Sequence, residues 1–330
     1  MFASSLRPLL WVALLALTAP ACRSDAETDA PDTSRAAEAA LNAPGGGGEG
    51  EASEATPPPA PQEPAVVQFE HKPLPQGAAR VEKSETIMTM SMTVSLKDEV
   101  IREGNTEQRS QKRKRITLLK TDTAGAPVEA KIVYEEIAET HKEGDGKPEV
   151  KPSPLEGETY VVTIEAGEMV VKDARGADVP AAESDEVIAD NGDLLKPDML
   201  HTLIPRGPVE IGERIPVNET FLRRLFDADA GGAVTIQEAW LALKEVREVE
   251  GRRSGVFETR MKLVAPVSRL EMGFDMTGEL VVALADTQLV KMNLKGPVRF
   301  ATPEGQQGPK GVQLVGEGHI AILQESAPAP

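Results

Sequence analysis

Cysteine is almost absent from this chain. Cys22 is the single one in 330 residues, so no disulfide can form within a monomer and no Cys-based metal cage can be built. Aromatic residues are scarce, with two Trp, two Tyr and seven Phe, which argues against an aromatic-lined sugar or base-stacking groove. Positive charge is in deficit: 36 Lys and Arg stand against 53 Asp and Glu, a net of −17. Phosphate binding wants a basic face, so nucleic acid is not expected as a partner. The four histidines, His71, His141, His201 and His319, have no ligand spacing to one another, which removes a zinc-protease reading. No Gly-x-Ser-x-Gly elbow and no Gly-rich phosphate loop after a strand occurs. With no catalytic constellation, the chain is not expected to be an enzyme.

Long apolar runs are also missing. Leu9 to Leu17 spans nine residues, too few for a stable membrane span. What surrounds it has the order of a secretory signal: Arg7 ahead, then the apolar run, then Thr18-Ala19-Pro20-Ala21. Cys22 follows directly, offering a thiol for lipid attachment. Residues 1–21 therefore resemble a bacterial lipoprotein signal, with Cys22 the acylated first residue of the mature chain and no thiol left over. Ala19 departs from the usual Leu at its place. The competing reading is an ordinary signal cut near Ala21, with an incidental cysteine. Arg23 follows Cys22 where an aspartate would be the familiar inner-membrane retention signal, which favours the outer membrane. The expectation is an exported protein of the bacterial cell envelope, held by several acyl chains.

Residues 22–68 read as a disordered acidic tether rich in Pro, Gly and Ala. Between residues 23 and 65 there are nine acids, two bases and no aromatic residue, with Gly45 to Gly48 and Pro57 to Pro59 as uninterrupted runs. Such a segment cannot bury enough apolar surface to offset its ordering entropy. As a flexible coil it spans about 35–40 Å, enough to hold a domain clear of lipid headgroups.

Residues 69–326 read as one β-rich domain, followed by a frayed tail at 327–330. Met88, Met90, Met92, Val94 and Leu96 alternate with Thr89, Ser91, Thr93 and Ser95, the period of a strand with one covered face. Further strands are expected over 108–121, 128–141, 158–166, 168–172, 234–249, 255–264, 273–284, 288–294 and 311–323. Turn signals stand at Asp98-Glu99, Gly104-Asn105, Ala166-Gly167, Glu250-Gly251 and Asp286-Thr287. Pro180 with early acids opens a helix ended by Gly192. Residues 197–204 read as a second short helix, and Asn218 as the N-cap of a third over 219–226. The expected fold is mainly β (α+β), a single curved antiparallel sheet of about nine to eleven strands with two or three short helices inserted midway. The basic run Arg109 to Arg115 splits between two strand faces and reads as a solvated edge, with Glu135 and Glu136 as its charge partners.

One segment carries metal chemistry. Asp227-Ala-Asp229-Ala-Gly-Gly232-Ala-Val234-Thr235-Ile-Gln-Glu238 resembles an EF-hand calcium loop. Asp227 and Asp229 take the first and third ligand positions, Gly232 the bend, and Glu238 the bidentate twelfth. Gly231 leaves the fifth position without a side chain. The competing reading is a turn leading into a long hairpin. Calcium is the one cofactor that the sequence suggests.

The run Ile204-Pro-Arg-Gly-Pro-Val-Glu-Ile-Gly-Glu213, with Leu241 to Arg253, resembles an uncharacterised family of bacterial surface lipoproteins. Met276-Thr-Gly278-Glu-Leu280 through Leu289 to Gly296 fits that family's closing hairpins. The resemblance covers residues 80–325 and implies no catalytic residues. The broad shape it implies is similar to periplasmic lipoprotein carriers. The functional expectation is a non-enzymatic, lipid-anchored envelope protein that binds an apolar ligand or scaffolds an envelope partner. Met88, Met90 and Met92 are the candidate ligand face, since methionine adapts to acyl chains; plain core packing is the alternative. The alternative function is a calcium-binding module on Asp227, Asp229 and Glu238.

Overall fold

The computed structural model describes residues 66–97, 99–123, 125–192, 194–195, 200–218, 222, 234–267, 270–303 and 312–329. The strands, in chain order, are β1 (Val66–Gln68), β2 (Ala79–Leu96), β3 (Glu99–Thr121), β4 (Pro127–Glu143), β5 (Glu149–Lys151), β6 (Thr159–Glu165), β7 (Glu168–Asp173), β8 (Pro208–Glu210), β9 (Arg214–Pro216), β10 (Thr235–Val249), β11 (Arg252–Val267), β12 (Leu270–Ala283), β13 (Leu289–Ala301) and β14 (Val312–Pro328). Helices α1 (Ala181–Asn191) and α2 (Leu200–Leu203) lie between β7 and β8. Twelve strands form one open antiparallel sheet in the order β7-β6-β4-β3-β2-β14-β13-β12-β11-β10-β9, with β5 paired to β4. β1 and β8 form a separate pair. The fold is mainly β as expected. The excess over eleven comes from three-residue strands, too short to leave a periodic signature.

Four expectations are corrected. Gly104-Asn105 is not a turn: β3 runs straight through it, and the reversal falls between Leu96 and Glu99. Asn105 instead pairs side by side with Ser91. β3 lies between β2 and β4, so its basic run sits in mid-sheet and not on an edge. The tail at 327–328 is not frayed. Ala327 and Pro328 pair with Val81 and Arg80, and the Ala329 N–H donates to the Ala79 carbonyl at 2.8 Å. Proline is tolerated there because it ends the strand, where no further ladder donor is required. The boundary at 68 also shifts, since Val66–Gln68 is already β1.

Alternation sorts each strand onto two faces. On the covered face, two apolar cores sit side by side. One gathers Met88, Met90, Leu200, Leu203, Phe257, Met272, Met276, Phe300 and Ile320. The other gathers Ile116, Leu118, Ile132, Tyr134, Tyr160, Val162 and Val187. Phe69 pins the chain entering the domain. Its ring lies 5.4 Å from that of Phe257, and it fills the space where a Cβ at Gly255 would come within 2.6 Å.

A diagonal of glycines crosses three adjacent strands. A Cβ on Gly278 would stand 1.8 Å from the Asn293 carbonyl oxygen, one on Gly296 1.9 Å from that of Asp275, and one on Gly318 1.9 Å from that of Thr89. Backbone carbonyls in a ladder cannot retreat, so only glycine lets the strands approach this closely. The diagonal marks a fold line in the sheet.

Candidate binding groove and the buried charge network

The sequence-predicted residues fall into three places. Cys22, Asp227 and Asp229 lie outside the described residues. Glu238 is in β10, where its carboxylate accepts from the Trp240 indole at 2.8 Å and from Arg260 at 3.3 Å. The bond from Trp240, joined by the Arg260 charge, holds its pKa below the usual carboxylate range. The residues that follow the loop are strand, paired with β11, not the exiting helix of an EF-hand. Among the described residues, no group of three His, Cys, Asp or Glu side chains is placed to hold a metal. Met88 and Met90 are buried in the first core, and Met92 packs half-buried against it. The stripe is therefore part of a packed face, with Met92, Val94 and Leu96 only half-covered at its open end.

The split basic run defines two different environments. On the outer face, Arg109 pairs with Glu85 at 2.6 Å, and Arg113 and Arg115 both reach Glu135, at 2.7 and 3.0 Å. On the covered face, Lys112 and Lys114 meet α1. Lys114 Nζ donates to Asp190 Oδ2 at 2.9 Å and to Asn191 Oδ1 at 2.8 Å, and Lys112 Nζ reaches Asp190 Oδ1 at 3.3 Å. The Tyr134 hydroxyl donates to Asp190 Oδ2 at 3.1 Å and accepts from Asn191 Nδ2 at 2.7 Å. Glu82, bonded by Arg80 at 2.7 Å, completes the cluster 3.8 Å from Lys114.

Burial alone would raise the Asp190 carboxyl. The ammonium groups of Lys114 and Lys112, with the bonds from Lys114 and Tyr134, outweigh it and hold the pKa far below the carboxylate range. Burial, and then the Asp190 charge, push the Tyr134 phenol far above its ordinary range. Neither group exchanges its proton near neutral pH. The cluster thus clamps the helix to the sheet and is not poised for acid–base work. It was missed at the sequence level, although Lys112 and Lys114 share a strand face with Ile116 and Leu118, and charges on a covered face require partners.

Among the described residues, three open grooves lie on the other, outer face. A small one of about 310 Å³ is lined by Lys83, Glu85, Gln111 and Arg113. The larger two adjoin near the end of the sheet that carries the β2–β3 reversal. One of about 470 Å³ runs over Thr89, Ser91, Asn105, Glu107, Lys142, Pro297, Arg299 and His319. The next, of about 1130 Å³, shares Ser91, Asn105, Gly144, Arg299 and Glu317 with it and extends to Glu103, Asp145, Glu271, Gly273 and Val264. Gly144 follows β4 and Val264 is in β11, six strands apart in sheet order. A single concavity bounded by both requires the sheet to curl toward this face.

No family model matches the chain, and no curated protein matches it. Among solved structures the chain is similar to lipovitellin, described for its lipid–protein interactions, at 8% identity and a TM-score of 0.34, over 77% of this chain and 26% of that one. It is also similar to Ail, the attachment invasion locus protein of Yersinia pestis in complex with the heparin analogue sucrose octasulfate, at 7% identity and a TM-score of 0.15, over 74% and 98% of the two chains. A DUF1329 family protein from Desulfovibrio piger follows at 8% identity and a TM-score of 0.13, over 71% and 83%. The chain spans about a quarter of the lipovitellin chain's length. At these scores the likenesses carry no argument about mechanism. The class rests on the molecule itself: an open, mainly β antiparallel sheet with one face packed over two apolar cores and the other grooved near the β2–β3 reversal, with a small buried apolar cluster at Val256, Val281, Ala283 and Val290.

Proposed function

We propose that this is a non-enzymatic, lipid-anchored protein of the bacterial cell envelope whose β domain scaffolds an envelope partner. The observation that carries the reading is the outer-face concavity of about 1130 Å³, bounded from the end of β4 to β11. It is open, lined by polar and apolar side chains in equal part, and built on long paired strands. The signal-like segment ending at Cys22 supplies the anchor, and the tether supplies reach. A photo-crosslinking residue placed at Thr93 or Ala301, in the groove, is expected to trap a discrete partner in intact cells. The same residue at Thr163, on β6 away from the groove, is expected to trap none. No adduct from either groove position overturns the scaffold reading. Mass spectrometry of the purified chain is expected to find acyl groups on Cys22, and Cys22→Ser to release the protein from membranes. An unmodified mature N-terminus overturns the anchor.

A second reading, an apolar ligand, is favoured by one feature: the apolar stripe stays half-covered at Met92, Val94 and Leu96. Native mass spectrometry showing a stoichiometric acyl lipid lost in Met92→Glu would establish it over the scaffold.

A further inference from the structure

Six carboxylates on the outer face of this sheet are paired across strands, while, among the described residues, Glu136 and Glu258 stand singly. Glu85 pairs with Arg109, Glu135 with Arg113 and Arg115, Glu238 and Asp275 with Arg260, Glu279 with Lys244, and Glu325 with Lys291. The joined grooves gather unpaired ones. Glu103, Glu107, Asp145, Glu271 and Glu317 line them, and among the described residues none of the five has an ion-pair partner. Two bases, Lys142 and Arg299, share the lining. Arg299 stands opposite Glu317 in the ladder without closing on it.

The placement of the charges is informative. Glu103, Glu107 and Asp145 gather at the β3–β4 end, and Glu271 stands on β12 toward the other. Between them, Arg299 on β13 stands opposite Glu317 on β14, so the middle carries no net charge, while at the β4 end Lys142 stands opposite Glu107 alone among the three carboxylates. The floor carries the small side chains Ser91, Thr93, Gly273 and Ala301, with the exposed Val315 standing between Thr93 and Ala301. Six inter-strand spacings of about 4.8 Å separate β4 from β11, roughly 29 Å before curling, the reach of about eight or nine extended residues.

We infer that the groove receives an extended polypeptide segment of a partner, with basic residues toward both ends and an acidic or neutral residue at its centre. This inference rests on the scaffold reading and names the partner's chemistry. Free carboxylates at the ends select the basic residues. The middle, where Arg299 and Glu317 offset each other, gives a central cation no net attraction, so the site favours a segment with its basic residues at the ends over a polyamine or polylysine.

The test uses the full-length protein in detergent and a fluorescent nine-residue peptide alternating lysine and threonine with a central glutamate. Anisotropy is expected to show binding that weakens with salt, and no binding of the charge-reversed peptide. The pair Glu103→Gln with Glu271→Gln is expected to weaken it by about five- to tenfold, with the thermal midpoint unchanged. The control pair Glu165→Gln with Glu168→Gln, exposed at the β6–β7 turn, is expected to leave it unchanged. Arg299→Glu is expected to shift preference toward an all-lysine peptide. Equal loss from both pairs means a non-specific attraction to an acidic protein and overturns the inference, as does no binding at all. If crosslinking from Thr93 still traps a partner in that case, the scaffold reading stands and only the partner's chemistry is wrong.

Discussion

Asp190 is the residue on which the most interactions of the covered face converge: two lysines and a tyrosine reach its carboxylate. A buried charge stripped of its partner costs far more than the pair contributes when intact. Asp190→Asn keeps the shape but leaves two ammonium groups facing an amide. We expect a loss of about 3 kcal/mol, read from urea unfolding. Asp190→Asn with Lys114→Met is expected to recover part of it, because the uncompensated charge is then removed. A single substitution costing less than about 1 kcal/mol would mean the cluster is hydrated rather than buried. The lysines were visible in the sequence as charges on an apolar strand face. Their partner was not, because Asp190 sits 76 residues from Lys114 in the chain, and no local pattern spans that distance.

Among the elements, the strands were the most legible. The Met88–Leu96 alternation, the Ala166-Gly167 reversal and the Glu250-Gly251 reversal all occur where their chemistry places them; Ala166, Gly167, Glu250 and Gly251 all take positive φ. Gly104 misled because glycine in a strand and glycine in a turn look alike locally, and the ladder to Met92 decides between them. The fold line through Gly278, Gly296 and Gly318 belongs to this scale too. Gly318→Ala pushes a methyl group against the Thr89 carbonyl, and overpacking of this kind costs about 1–3 kcal/mol. The expected outcome is a lower thermal midpoint together with faster amide exchange in β2 and β14. Gly207→Ala, with nothing within 4 Å of its Cβ, is expected to do neither. Were the two variants equally stable, the close approach of the strands would be wrong.

For the whole molecule, the pKa shifts set the direction of acid sensitivity. Asp190 and Glu82 are both held below their ordinary values in the fold, in each case against burial by neighbouring cations. Their unfolded values lie near 3.9 and 4.3, so the stability they contribute is present above about pH 4 to 5 and is lost as pH falls through that range toward the folded values. Glu186, raised chiefly by its burial, works in the opposite sense and offsets a part. The urea midpoint is expected to fall steeply between pH 5 and pH 3, and Asp190→Asn to flatten that dependence. An equal fall in both proteins would place the acid sensitivity elsewhere.

Composition and period by themselves determined that this chain builds a thiol-free, mainly β domain and that its basic strand would divide between two faces. Those are properties of neighbours in sequence: spacing, alternation and the presence or absence of a residue type. Tertiary structure decided that Met88 and Met90 are core, that Lys112 and Lys114 hold a helix, and that five carboxylates from β3, the end of β4, β12 and β14 line one unpaired groove. Each of those depends on which strands are neighbours. Strand order in an antiparallel sheet is set by long-range pairing and packing that no local window contains.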